Sequence, residues 1–251
     1  MAWKKLTFDW KNAGWHVGVM VFYLLVSNGL YGLYHDDYML SQPDIVQYIG
    51  MAQERKSFES LTGEELNWSN SMFGGMPTYQ IGGSSGGFNW ARSLRETINQ
   101  FFGGQQIAAM MLGMLAAYLL ALALGMAPWW AASAGVAFAL STVGVLYLGA
   151  GHNSKINAIY LMPGVVAGVV MAYQGKLWRG LFFTVLFTSL HLVADHLQMT
   201  YYLLMLLGAI AIAWGIRSFK SGELKRFFKV SLLLALAGGS SALPSLLGIL
   251  N

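Results

Sequence analysis

The chain has no cysteine, and only 10% of its residues are charged. The first absence excludes disulfide staples and thiolate metal sites, so any loop must be held by packing and hydrogen bonds. The second excludes an ordinary soluble domain, where roughly 25% of residues are charged. Proline is scarce too, and Pro163-Gly164 and Pro244 are the only clear interior breaks in the apolar runs. What is present is hydrophobic: 56% of residues, with mean hydropathy +0.51. That is the composition of an integral membrane protein. The net charge of +4 would raise the question of nucleic acid in a soluble chain. Here the basic residues fall between apolar runs, where membrane orientation accounts for them and nucleic acid is not an expected partner.

Runs of about 17 to 25 apolar residues, the length that crosses a bilayer, occur seven times. They lie near 14–34, 106–126, 129–149, 156–173, 180–195, 199–216 and 230–249. The fifth is the weakest, because His191, Asp195 and His196 follow its aromatic core and bring it out of the hydrocarbon early. The expectation is an all-α, polytopic protein forming one membrane domain over 1–251. It has an N-terminus at 1–13, a large polar loop at 35–105, and six further spans in 106–251. The first run is followed by His35-Asp36-Asp37, not by a small-residue cleavage site, and reads as a retained signal anchor.

Charge fixes the expected orientation. With residues 1–13 cytoplasmic, Lys4, Lys5, Lys11, Lys176, Arg179, Arg217, Lys220, Lys225, Arg226 and Lys229 all lie inside. Asp36, Asp37, Asp44, Glu54, Glu59, Glu64, Glu65, Glu96 and Asp195 lie outside. Three polar elements then share the outer side: the 35–105 loop, the turn Gly151-His152-Asn153-Ser154-Lys155, and the end of the fifth run. Within the loop, Ile45, Tyr48, Ile49 and Ala52 follow helical spacing after Pro43 and predict a helix along the interface over Asp44 to Ser57. Thr62-Gly63-Glu64-Glu65 marks a turn. A second interfacial helix, bearing Arg92 and Arg95, is predicted over Trp90 to Phe102.

Four segments carry a family resemblance. Asp44 with Gln47, the block Trp68-Ser69-Asn70-Ser71-Met72-Phe73-Gly74-Gly75-Met76-Pro77-Thr78-Tyr79-Gln80, Gly151-His152-Asn153-Ser154-Lys155, and Gln198-Met199-Thr200-Tyr201-Tyr202 together resemble the bacterial YfhO-like membrane proteins. That family is similar to the GT-C glycosyltransferases, and the likeness spans nearly the whole chain. It implies a bacterial cytoplasmic (inner) membrane protein whose large outer loop carries two interfacial helices, with a catalytic acid soon after the first span. It also implies a polyprenyl-phosphate-linked sugar as donor and an acceptor yet to be identified. The shared part of these enzymes is a module of about seven spans, which this chain resembles.

On that likeness Asp44 is the first choice for the general base, since sugar transfer needs a carboxylate to take the acceptor's proton. The plain alternative is an acid that complements the dipole of a helix beginning at Pro43. Lys155 and His152, with Asn153 between them, are placed to neutralise the leaving phosphate, assisted by Arg92 and Arg95. Otherwise Lys155 snorkels to headgroups and His152 caps a helix. Asn70, Tyr79 and Gln80 are candidate substrate contacts from the loop block. Asp36 and Asp37 form a competing acidic pair. His191, Asp195 and Gln198 would share a helical face, where an Asp-His bond pinning two helices is the commoner meaning. A divalent cation is possible in such enzymes, but the turn at 151–155 has no carboxylate to hold one.

Two other classes stay open. A noncatalytic scaffold or subunit, retaining the module to bind a protein partner, fits the same layout. A transporter fits less well, because its polar residues would sit near mid-membrane and not at one face.

Overall fold

The computed structural model describes residues 13–31, 41–71, 73–78 and 90–250, with side chains of the last helix described to residue 242. Among the described residues there are eleven helices and one two-stranded ribbon. A helix, α1 (Ala13–Tyr31), leads to two short helices, α2 (Pro43–Met51) and α3 (Gln53–Thr62). The ribbon pairs β1 (Trp68–Ser69) with β2 (Met76–Pro77) antiparallel, Trp68 opposite Pro77 and Ser69 opposite Met76. Then come α4 (Trp90–Phe101), α5 (Gln105–Ala123), α6 (Pro128–Ala139), α7 (Thr142–Ala150), α8 (Asn153–Tyr173), α9 (Leu177–Val193), α10 (Leu197–Lys220) and α11 (Leu224–Leu250).

Each of the seven apolar runs is mainly helical over its described residues. Among the described residues four helices, α1, α5, α8 and α10, are long and apolar enough to cross a membrane, and α6 with α7 makes a fifth if the bent pair is one span. The chain is therefore a multi-pass, helical membrane protein by length and composition. α9 is apolar but has 17 residues, in keeping with the polar residues that close it.

Three features depart from expectation. The run at 129–149 is not one straight helix but α6 and α7, bent by 44°. Ser141 caps the second half by accepting from the Gly144 amide. The carbonyl of Ala139, released by the break, accepts instead from the Tyr160 hydroxyl at 2.7 Å. A backbone break at this depth persists because protein groups satisfy it. Conversely Pro163 does not break α8, which continues for ten residues beyond it to Tyr173. The predicted loop helix over Asp44 to Ser57 is also divided, at buried Ala52, into α2 and α3.

α8 is the centre of the bundle, packed between α5 and α9. Gly164, Gly168 and Ala172 recur at four-residue spacing along its α9 side: Gly164 receives the Phe187 ring, and Gly168 and Ala172 let the two backbones nearly touch. A methyl group added at Gly168 would lie 2.6 Å from the Thr184 amide, and one at Gly180 2.7 Å from the Ala172 Cα. Around α8, Tyr23, Met110, Met114, Ile156 and Tyr160 fill one cluster, and Val165, Ala167, Phe187 and Leu190 another. α1 and α10 lie at the periphery, where Leu25, Leu204 and Ile212 are more than 60% exposed, as lipid-facing side chains are.

Candidate functional site

One end of the bundle gathers α2, α4, the α7–α8 turn and the α9–α10 turn. The site begins with the turn. Gly151 ends α7 at φ +94°, a left-handed conformation that favours glycine. Its amide and that of His152 both donate to the Tyr147 carbonyl. Lacking a side chain, Gly151 lets the start of α2 settle on it: a Cβ there would stand 2.9 Å from the Gln42 Cβ and 3.4 Å from the Asp44 Cβ. Gln42 is buried at 7% exposure and locks the contact, donating to the Leu148 carbonyl at 2.6 Å. Its amide also faces that of Asn153 at 3.4–3.5 Å.

This docking sets Asp44 against His152. The Asp44 carboxylate meets His152 Nδ1 at 2.5 Å, with the two side chains 39% and 44% exposed. The His152 ring stands edge-on to Tyr147 at 5.4 Å, and the Lys155 ammonium sits 4.5 Å from the centre of the same ring. The Asp44 carboxylate thus pairs with His152 across 108 residues of chain, while that imidazole and the Lys155 ammonium lie against one tyrosine. Asp44 also sits in the first turn of α2 behind Pro43, so the helix-dipole arrangement holds at the same time.

The α9–α10 turn approaches from the other side. Burial, together with the positive charges of Lys155 and His152, holds the His196 imidazole below its usual pKa. Its Nδ1 is buried and has no hydrogen-bond partner among the described residues. Arg95 is partly buried on α4, where Nη1 donates to the Val193 carbonyl at 3.4 Å. Burial and the neighbouring Arg92 pull this guanidinium below its ordinary pKa. Arg95 therefore ties α4 to the C-terminus of α9, a favourable place for a cation.

The His191–Asp195–Gln198 face does not form. α9 ends at Val193, and Asp195 takes φ +53°, which removes it from the helical face of His191. His191 is buried and spends both ring nitrogens on structure, at 3.0 Å from the Ala158 carbonyl and 3.0 Å from the Thr200 hydroxyl. It joins α8, α9 and α10 without an aspartate. Gln198 is exposed and donates to the Tyr202 hydroxyl.

Asn70 belongs to a second cluster built on Glu54. That carboxylate accepts from the Ser69 hydroxyl at 2.5 Å and from the amides of Asn70 and Ser71 at 3.1 and 3.0 Å. These bonds, the Ser69 hydroxyl first, hold Glu54 below the usual carboxylate range. The Asn70 side chain accepts from the Trp68 indole at 3.2 Å. Trp68 in turn covers Gly75, and Phe73 stands out at the tip of the ribbon, 90% exposed. Asp36, Asp37, Tyr79 and Gln80 lie outside the described residues.

Gln42, Tyr147, His196 and Glu54 are the participants that sequence reasoning missed. Tyr147 carried a signal, as the one aromatic between Thr142 and Ala150, just before the Gly-His-Asn-Ser-Lys turn. Gln42, Glu54 and His196 carried none that separates them from other polar loop residues. Among the described residues no group of three or more His, Asp or Glu is gathered closely enough to hold a metal ion. A cavity of about 160 Å³ lies at the opposite end of the bundle, between α8, α10 and α11. No protein-family model, curated protein or solved structure matches the chain.

Proposed function

We propose that the chain is a GT-C-like membrane glycosyltransferase module that takes a sugar from a polyprenyl-phosphate carrier at the extracytoplasmic face of the bacterial inner membrane. In this reading all seven apolar helical runs span the bilayer, and residues 1–13 are cytoplasmic. One observation supports it above the others: Asp44 pairs with His152 while Lys155 shares the Tyr147 ring with that histidine, at the end of the bundle where α2 and α4 gather.

The chemistry assigned to these groups balances. An acceptor hydroxyl attacks the anomeric carbon, and the bond from that carbon to the carrier phosphate breaks. The hydroxyl proton passes to Asp44, which His152 orients. The electron pair leaves with the polyprenyl phosphate, whose charge Lys155 offsets.

A noncatalytic subunit is the second reading, in which the Asp44–His152 pair serves only to dock α2 on the α7–α8 turn. Reconstituted protein supplied with a radiolabelled polyprenyl-phosphate sugar and candidate acceptors separates the two. The enzyme reading requires carrier phosphate to be released and Lys155→Gln to slow that release. No release of carrier phosphate with any acceptor, together with no measurable donor binding by the wild-type protein, would favour the subunit.

A further inference from the structure

The cavity between α8, α10 and α11 has no part in the chemistry proposed above, yet its walls are specific. Trp214, Tyr173 and Phe227 form a stack, with ring centres 5.4 Å and 5.7 Å apart and planes 18° and 13° from parallel. The Tyr173 hydroxyl fixes the stack to Ser231 at 2.9 Å. Arg217 lies over the Trp214 ring at 5.2 Å, with no carboxylate partner among the described residues. Arg226 and Glu223 line the opposite side and meet at 3.6 Å, both more than half exposed. The only acid in the wall is thus already paired, and Arg217 supplies the uncompensated charge. The segments 174–179 and 217–229 that supply this wall also carry Lys176, Arg179, Lys220, Lys225 and Lys229, and contain no carboxylate besides Glu223.

Size and setting narrow the ligand. The volume, about 160 Å³, is many times the roughly 10–15 Å³ that one water needs, and suits a small polar group. Beside it the exposed side chains of Ile216, Phe219 and Phe228 present apolar surface where α10 leaves and α11 re-enters the apolar layer. A cationic hollow next to exposed apolar rings matches a molecule with an anionic head and a hydrocarbon tail.

We propose that this cavity binds the phosphate of an anionic phospholipid headgroup, with Arg217 as its principal partner and Arg226 as the second. The guanidinium of Arg217, braced on Trp214, offers its donor fork to phosphate oxygens. The acyl chains lie along Phe219 and Phe228. The proposal does not depend on glycosyl transfer, so either can fail alone.

The test uses the full chain in nanodiscs of phosphatidylcholine, with or without phosphatidylglycerol, and reads lipid retained in native mass spectrometry and the change in tryptophan fluorescence on titration. Phosphatidylglycerol is expected to be retained in preference to phosphatidylcholine. Each lost cation lowers its affinity about fivefold, and Arg217→Gln with Arg226→Gln lowers it about thirtyfold. Arg226 is 52% exposed, so Arg226→Gln alone folds and still shows the smaller loss. Equal retention of both lipids would overturn the proposal, as would retention unaffected by the double substitution. Inorganic phosphate producing the same fluorescence change in phosphatidylcholine discs would overturn the assignment to a lipid.

Discussion

Asp44→Asn separates catalysis from structure because the two readings predict effects of very different size. In the folded protein the Asp44 carboxylate meets His152 at 2.5 Å, but the side chains are 39% and 44% exposed. Solvent screens a pair of that kind to about 0–1 kcal/mol. Asparagine keeps the shape and retains one oxygen to accept from the imidazole. The fall in stability is therefore at most about 1 kcal/mol, or a midpoint shift of about 2–4 °C for a chain of this length. As the general base, by contrast, Asp44 contributes about 10²–10⁴ in rate, equivalent to roughly 2.7–5.4 kcal/mol of barrier. The assay pairs release of polyprenyl phosphate from the labelled donor with thermal unfolding in detergent. A loss of at least about a hundredfold in turnover with little change in midpoint is expected. Unchanged turnover would refute the role of Asp44. A stability loss as large as the activity loss would show that the pair holds α2 in place and does no more.

Three further outcomes follow from the same geometry. Gly151→Ala puts a methyl group 2.9 Å from the Gln42 Cβ on a backbone at φ +94°, so it should cost about 1–3 kcal/mol and abolish turnover by lifting α2 from the turn, with Gln42 crosslinking efficiency to the α7–α8 turn falling in parallel. Glu54 is held below the usual carboxylate range by its bonds to Ser69, Ser71 and Asn70; its hold on the loop is complete above that range and is lost as pH falls through the lowered value, so the amide resonances of Asn70 and Ser71 should move together with acid, and Glu54→Gln should remove the titration. Gly113→Ala would bring a methyl group 2.6 Å from the Tyr160 ring, which is 1% exposed, and should lower stability by about 1–3 kcal/mol in detergent unfolding. Gly208→Ala on α10, with nothing within 4 Å, should not.

The apolar runs made the helices legible because hydrocarbon length is written directly in composition. Breaks were less so. Proline is the usual signal for a broken helix, yet α8 passes through Pro163, while the α6–α7 bend has no proline at its break and depends on Tyr160, 21 residues away from the carbonyl it satisfies. A local reading has no access to that partner. The same reasoning explains the site. Asp44, His152 and Lys155 were visible as ionisable residues beside apolar runs, but the pairing of Asp44 with His152 and the part of Gln42 arise from docking α2 on Gly151. His191 and Asp195 misled for the opposite reason. Their four-residue spacing suggests a shared face only while the helix lasts, and it ends at Val193.

The seam between α8 and α9 has a consequence for how the chain can vary. Where backbones lie a methyl group apart, nearly every substitution at Gly168, Gly180 or Ala172 forces two helices to separate, whereas Leu204 or Ile212 can change among aliphatic residues at little cost. In a saturation library selected for membrane expression, tolerance should therefore form a gradient from the axis outward, with the smallest side chains the least replaceable and the bulky outer ones almost interchangeable.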